Sequence, residues 1–87
     1  MVNKWNLKYT KAAIDDSLRL KKSGLKEKAE KLLEIIELDP YKTPPKFEKL
    51  VGLEDIYSRR INIQRRLVYQ VLKSKKVIKI LSMFGHY

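Results

Sequence analysis

The sequence has 87 residues, with 20 Lys or Arg against 10 Asp or Glu, so its formal net charge is +10. A chain this short supports only one small core, and we expect a single domain over residues 1–87. It contains no cysteine, which excludes a disulfide framework and a cysteine-based zinc or thiol site. No stretch approaches the roughly 18 apolar residues of a membrane-spanning helix, and residues 1–10 lack the apolar run of a signal peptide. We therefore expect a cytoplasmic protein that does not engage a membrane.

The chain is predicted to begin with a strand followed by a helix. Trp5, Leu7 and Tyr9 alternate with polar residues, which is the period of a half-buried strand. Thr10 can cap the helix that comes next, and Gly24 can end it. The apolar residues of this helix at helical spacing are Ala13, Ile14 and Leu18.

A second helix is predicted from Leu25 to the turn at Asp39-Pro40, because its apolar residues form one continuous stripe. The residues of this stripe are Leu25, Ala29, Leu32, Leu33 and Ile36. The next segment, "DPYKTPPKFEKLVGLED", contains three prolines, which do not fit a helix interior or a central strand. It is predicted to be a loop that leads into a short strand anchored by Phe47 and Leu50.

The last third of the chain is predicted to consist of strands. The candidates are residues 57–61, 66–72 and 77–84, and the tight "KSKK" link between the last two predicts a hairpin. The element order is therefore β-α-α-β-β-β-β. This order predicts an α+β fold, with the two N-terminal helices packed on one face of a mainly antiparallel twisted sheet.

The positive charge is concentrated in the C-terminal half. From Ile56 onward there are eight basic residues and no acid, and "YSRRINIQRRLVYQV" contains the pairs Arg59-Arg60 and Arg65-Arg66. Such a distribution favours a polyanion, and nucleic acid is the default candidate. A solubilising surface, an anionic membrane and an acidic protein partner also fit, and charge alone does not separate these alternatives.

Three motifs point to a known family. "KFEKL", "YSRRINIQRRLVYQV" and the C-terminal "HY" resemble, in order and spacing, the Txe/YoeB family of bacterial toxins within the RelE superfamily. The resemblance implies a RelE-like, microbial ribonuclease-like fold. It also implies a type II toxin that cleaves mRNA in the ribosomal A site, needs no metal or other cofactor, and inhibits translation and growth. The implied partners are mRNA, the ribosome and a cognate antitoxin of the YefM/Axe type, and a homodimer is an open alternative.

Metal-independent RNA cleavage needs a base for the ribose 2′-hydroxyl, cations for the phosphoryl oxygens and an acid for the departing 5′-oxygen. By resemblance, Glu48 matches the family's base, His86 its acid and Tyr87 the terminal tyrosine beside it. Arg66 matches the arginine that clamps the scissile phosphate, and Arg60 matches another active-site arginine. Without the resemblance, a surface salt bridge explains Glu48, and a frayed chain end explains the His-Tyr pair.

The remaining basic residues near these motifs are predicted to bind RNA backbone, of the messenger or of the ribosome. They are Arg59, Arg65, Lys46 and Lys49. Side chains alternate between the faces of a strand, so neighbouring arginines do not all point into one site. Tyr57 and Tyr69 have two interpretations, stacking on a base or packing in the core.

Three positions depart from the family pattern. Gln64 stands where some members have glutamate, Arg65 where we expect histidine, and Gly85 where we expect a larger residue that would restrict the backbone before His86. A second class of function therefore stays open beside the endoribonuclease. This alternative is a non-catalytic RNA-binding module, or an inactive toxin relative that binds only its antitoxin.

Overall fold

The computed structural model describes residues 4–86, and for His86 it describes the backbone alone. The elements in this part of the chain are β1 (Asn6–Tyr9), α1 (Lys11–Lys22), α2 (Lys26–Leu38), β2 (Phe47–Lys49), β3 (Ile56–Arg60), β4 (Arg65–Leu72) and β5 (Val77–His86). This order confirms the predicted α+β arrangement. The predicted strand bounds differ from these by one or two residues at most ends, as is usual for strand ends.

The strands form one mixed sheet in the order β1-β5-β4-β3-β2. β1 pairs with β5 in parallel, and the other three pairings are antiparallel, so the sheet is mainly antiparallel as predicted. β1 and β2 lie at opposite edges of the sheet, and the two helices connect them. The "KSKK" link between β4 and β5 forms a short 3-10 turn at Lys73–Lys75.

Local hydrogen bonds define both ends of α1 as predicted. The Thr10 hydroxyl accepts from the backbone N–H of Ala13 at 3.0 Å, which satisfies one of the free N–H groups of the first turn. At the other end, Gly24 has a φ of +72°, and the N–H of Leu25 donates to the Leu20 carbonyl at 2.9 Å. Within the described residues, neither α-helix is long and apolar enough to cross a bilayer.

The core lies between the two helices and one face of the sheet. The predicted stripe of α2 supplies Ala29, Leu32 and Ile36, which are all buried. The buried apolar residues of α1 and the C-terminal strands are Ala13, Leu20, Tyr57, Leu67, Tyr69, Val71, Ile78, Ile80 and Met83. Tyr57 and Tyr69 therefore belong to the core, and base stacking by these rings is excluded by their burial.

Two apolar residues of α1 are exposed instead of buried. Ile14 is 55% exposed and Leu18 is 62% exposed, whereas Ala13 and Leu20 pack against the sheet. Ile14 and Leu18 line a groove of about 460 Å³ between α1 and α2, which we call the helical groove. Its other apolar lining residues include Tyr9, Leu33 and Met83.

The alternation of side chains gives the sheet two different faces. On the helix-covered face, Arg59 lies opposite Leu67 in the β3–β4 ladder. The other face, which we call the open face, carries Ser58 and Arg60 from β3 and Arg66 from β4. The candidate active site lies on the open face.

Candidate active site

Two neighbouring rows of the sheet bring the predicted site residues together. In one row Glu48 of β2 lies opposite Ser58 of β3, and in the next row Arg60 of β3 lies opposite Arg66 of β4. These residues come from three different strands, and the antiparallel pairing of β2, β3 and β4 makes them neighbours. Glu48, Arg60 and Arg66 are therefore assembled on one surface.

Arg66 is held in place by its neighbours. Its Nη1 donates to the Ser58 hydroxyl at 3.2 Å, and its Nη2 lies 3.5 Å from Oε1 of Glu48. The Arg66 side chain is only 12% exposed, whereas that of Glu48 is 51% exposed. The guanidinium group is thus oriented and mostly covered, while the carboxylate stays accessible to a substrate.

These residues line a pocket of about 230 Å³, completed by Pro45 and Lys46 from the loop before β2. Arg60 and Arg66 are directly opposite each other, and like charges in such a pair repel. A bound anion between them would relieve this repulsion, and guanidinium groups match phosphoryl oxygens in geometry. A carboxylate beside paired arginines can take a proton from a hydroxyl while the arginines neutralise an adjacent phosphate.

The location of Arg59 contradicts the RNA-binding role expected from its sequence position. Its side chain is 1% exposed and lies on the helix-covered face of the sheet. Nε donates to the Tyr69 hydroxyl at 3.1 Å, Nη1 donates to the Pro45 carbonyl, and Nη2 donates to the carbonyls of Pro40 and Lys42 at 3.1 and 2.9 Å. All three guanidinium nitrogens are therefore engaged inside the protein.

This network fixes the loop of residues 40–46, which forms one wall of the pocket. The Tyr69 hydroxyl donates to the Pro40 carbonyl at 2.7 Å. Burial raises the pKa of Tyr69, so this hydroxyl remains a donor well above neutral pH. The Arg59 guanidinium also lies 4.9 Å from the centre of the Phe47 ring, in a cation–π contact. Arg59 thus supports the site from beneath the sheet.

Arg65 and Lys49 lie outside the pocket. The Arg65 guanidinium stacks on the Phe84 ring at 3.7 Å from its centre, and the side chain is half-buried. Lys49 is exposed, and it comes directly after Glu48 in β2, so its side chain points to the opposite face. RNA contacts by these two residues remain predictions for surfaces beyond the pocket.

The C-terminal end of β5 lies beside Arg65 and Arg66 of β4. The backbone of Gly85 pairs with Arg66, and that of His86 pairs with Arg65. A Cβ atom at Gly85 would lie 3.2 Å from the Arg66 carbonyl oxygen, so the absent side chain permits a close approach of the two strands. The predicted roles of the His86 side chain and of Tyr87 fall outside the described residues.

Ser58 is a pocket residue that sequence reasoning missed. Its hydroxyl accepts from Arg66 and its side chain is 1% exposed. The alternation in "YSRR" contains the relevant signal, because residues 58 and 60 share one face of the strand and residues 57 and 59 share the other.

Comparisons with known proteins show similarity of sequence and of fold. A family model described as the YoeB-like toxin of bacterial type II toxin–antitoxin systems matches residues 9–87. A comparison with curated protein sequences finds no significant match.

Solved structures give a similar result. A YoeB/ParE toxin from Agrobacterium tumefaciens is 27% identical with a TM-score of 0.83, covering 94% of this chain and 99% of that one. The YoeB dimer from Staphylococcus aureus is 33% identical with a TM-score of 0.82, covering 97% and 99%. The toxin in the YoeB–YefM complex from the same organism is 33% identical with a TM-score of 0.77, also covering 97% and 99%. The family match over most of the chain confirms the resemblance that the sequence motifs predict, and the chain belongs to the YoeB-like toxins of bacterial type II toxin–antitoxin systems.

Proposed function

We propose that this toxin is a ribosome-dependent mRNA endoribonuclease that acts in the cytoplasm and blocks translation. The observation that carries the proposal is the meeting of Glu48 with Arg60 and Arg66 on one open surface, with Arg66 Nη2 3.5 Å from the Glu48 carboxylate. A plain electrostatic RNA-binding surface does not require a carboxylate inside a cationic pocket. A cleavage site does require a general base, because the attacking hydroxyl must lose its proton, and the Glu48 carboxylate can serve as that base.

In the proposed reaction, the Glu48 carboxylate takes the proton of the ribose 2′-hydroxyl at the scissile site. The 2′-oxygen then attacks the adjacent phosphorus, the bond to the 5′-oxygen breaks, and a 2′,3′-cyclic phosphate forms. Arg60 and Arg66 stabilise the charge that develops on the phosphoryl oxygens. His86 protonates the departing 5′-oxygen, and Tyr87 positions the substrate beside it.

The ribosome has a defined role in this proposal. The pocket has a volume of only about 230 Å³ and Glu48 is half-exposed, so we expect the protein alone to hold an RNA strand weakly. The ribosome would present a single mRNA segment in a fixed conformation, which supplies the orientation that the pocket lacks. Exposed basic residues outside the pocket, including Lys49, would contact ribosomal RNA.

The first test maps mRNA 5′ ends by primer extension after purified wild-type protein is added, with and without programmed ribosomes. A second sample uses His86→Gln, which keeps the size and polarity of the side chain but removes the proton donor. Discrete cuts that need ribosomes and disappear in His86→Gln are the expected result, with a loss of about 10²- to 10⁴-fold in rate. An mRNA with 2′-deoxyribose at the scissile position should remain uncut.

Binding of RNA or ribosomes without any cut would instead identify an RNA-binding module or an inactive relative. Cutting by His86→Gln at the wild-type rate would remove His86 from the mechanism and leave the endoribonuclease activity itself intact. The test of endoribonuclease activity and the test of His86 are separable, because the activity is judged from the wild-type protein alone.

The antitoxin is the proposed protein partner, since related toxins are found in a YoeB–YefM complex. Two surfaces fit it: acidic residues would cover the cationic pocket, and apolar residues would fill the helical groove. The groove exposes large parts of Ile14 and Leu18, and its rim carries Lys21 and Lys26.

We expect Leu18→Glu to weaken antitoxin binding by at least about tenfold, because it puts a charge into an apolar groove, while cleavage in the absence of antitoxin stays unchanged. Calorimetric titration of the toxin with the cognate antitoxin measures the loss. The matched control is Ala12→Glu, which adds the same charge at an exposed position of α1 that does not line the groove. Equal affinity of the Leu18→Glu and wild-type proteins would show that the groove is not part of the interface.

A further inference from the structure

The strand β5 contains two more residues than β4 over the stretch that leads to the active site. Tyr69 pairs with Ile80, and the next residue of β4, Val68, pairs with Ser82. Leu81 therefore has no residue opposite it in β4. This one-residue insertion is a β-bulge, which bends its strand and redirects the residues beyond it.

A second bulge comes immediately after the first. Between Ser82 and Gly85, β5 contributes Met83 and Phe84, whereas β4 contributes only Leu67. Each bulge shifts the register by one residue, so the two together shift it by two and restore the original alternation of faces.

The two bulges determine where His86 lies. If the register of the Tyr69–Ile80 pair continued without interruption, His86 would lie opposite Ile63, before β4 begins at Arg65. With both bulges, the backbone of His86 lies opposite Arg65 instead. The two bulges thus shift the end of β5 by two positions along β4, so that Gly85 and His86 lie opposite Arg66 and Arg65.

Helix α1 contacts the backbone at both bulges. The Thr10 hydroxyl donates to the Leu81 carbonyl at 2.9 Å, and Oδ2 of Asp16 accepts from the backbone N–H of Met83 at 3.0 Å. The other carboxylate oxygen of Asp16 accepts from Arg19 Nη1 at 2.8 Å, and the Asp16 side chain is only 13% exposed. Backbone groups at the two bulges are therefore satisfied by the side chains of Asp16 in α1 and of Thr10, its N-cap residue.

We propose that Asp16 is a positioning residue for the C-terminal end of β5, and through it for His86. Asp16 touches neither pocket nor substrate and acts through the Met83 backbone, three residues before His86. Its catalytic consequence rests on the proposed function, whereas its hold on β5 does not. Nothing in the sequence distinguishes Asp16 from Asp15 beside it, which is exposed.

Three variants of the full chain separate geometry from charge. Asp16→Asn keeps an oxygen acceptor in place and removes the charge, and Asp16→Glu keeps the charge but moves the carboxylate by one methylene. Asp15→Asn is the matched control, with the same charge change on the same turn. Thermal unfolding checks that each is folded, and each retains a side chain compatible with a helix.

Two readouts are needed. Amide hydrogen exchange followed by NMR reports the Met83 N–H directly, and single-turnover cleavage on programmed ribosomes separates the cleavage step from ribosome binding. In Asp16→Glu we expect exchange at Met83 to accelerate by about tenfold or more, as a lost charge-assisted hydrogen bond implies. The cleavage step should slow by about tenfold or more at unchanged ribosome affinity. Asp16→Asn should stay within about threefold of wild type in both readouts, and Asp15→Asn should match wild type.

Several outcomes would overturn the proposal. Wild-type exchange at Met83 in Asp16→Glu would show that Asp16 does not hold the strand. Faster exchange with an unchanged cleavage rate would show that the hold does not position His86. Normal cleavage by Asp16→Glu together with slow cleavage by Asp16→Asn would show that the charge of Asp16 matters and the position of its carboxylate does not. A wild type that never cleaves would contradict the proposed function instead, and Met83 exchange would still decide whether Asp16 holds β5.

Discussion

Glu48→Gln should reduce mRNA cleavage on programmed ribosomes by a factor of about 10²–10⁴, while binding of the ribosome stays near the wild-type level. The amide has nearly the same shape as the carboxylate, and its oxygen can still accept from Arg66, which lies 3.5 Å away in the wild type. It cannot take the proton of the 2′-hydroxyl. The loss should therefore appear in the cleavage step and not in affinity.

The matched control for this substitution is Glu54→Gln. Glu54 is an exposed acid in the loop between β2 and β3, and the change removes the same charge outside the pocket. Its cleavage rate should equal that of the wild type. A measurement of single-turnover rates at saturating ribosome concentration compares the three proteins directly.

Glu48→Gln with undiminished cleavage would rule out the carboxylate as general base and leave a role only in its ion pair with Arg66. A parallel loss of cleavage in Glu54→Gln would assign the effect to net charge. Because Gln preserves the hydrogen bond to Arg66, a fall in thermal stability is not expected, and a large fall would mean that Glu48 is chiefly structural.

The order of elements and the second helix were predictable because their signals are local. The stripe of α2 repeats over several turns, and prolines mark the end of that helix and the loop after it. The site residues Glu48, Arg60 and Arg66 were predicted from the family motifs, and strand pairing brings them together. Their mutual distances depend on long-range register, which the sequence does not encode in any one segment.

Other features depend on tertiary contacts that leave no local signal. Alternation shows that Arg59 and Arg60 face opposite ways, but a cation is not the expected choice for the covered face, because burial of an unpaired charge is costly. The loop carbonyls that accept from Arg59 come from residues 40–45, far from it in sequence. The bulges of β5 and the bond from Met83 to Asp16 are equally non-local.

The exposure of Ile14 and Leu18 has a similar origin. Apolar residues occur on more than one side of α1, and helical spacing alone does not decide which side meets the sheet. Contact of Ala13 and Leu20 with the sheet fixes that choice and leaves the other side to the helical groove. A groove of this kind is typical of a protein that buries apolar surface in a complex.

The same substitution by Met should have different effects at the adjacent residues Arg59 and Arg60. It should lower thermal stability at Arg59 and the cleavage rate at Arg60. In Arg59→Met, the partly buried carbonyls of Lys42 and Pro45 lose their donor, whereas the Pro40 carbonyl keeps the Tyr69 hydroxyl. Each unsatisfied carbonyl costs about 1–3 kcal/mol, and the removed desolvation of the guanidinium group offsets part of this. We expect a net loss of about 3 kcal/mol, which lowers the melting temperature by roughly 15 °C.

Arg60→Met is the matched control, because it removes the same charge from the exposed side of the same strand. Its melting temperature should change by less than about 4 °C, and relief of the repulsion with Arg66 would raise it. Its cleavage rate should fall by about 10²-fold or more, since a cation is lost from the phosphate site. Thermal unfolding and cleavage measured on both proteins test the pair. Equal stability of the two variants would mean that the Arg59 network contributes little to folding, and equal cleavage by Arg60→Met and wild type would place the phosphate elsewhere.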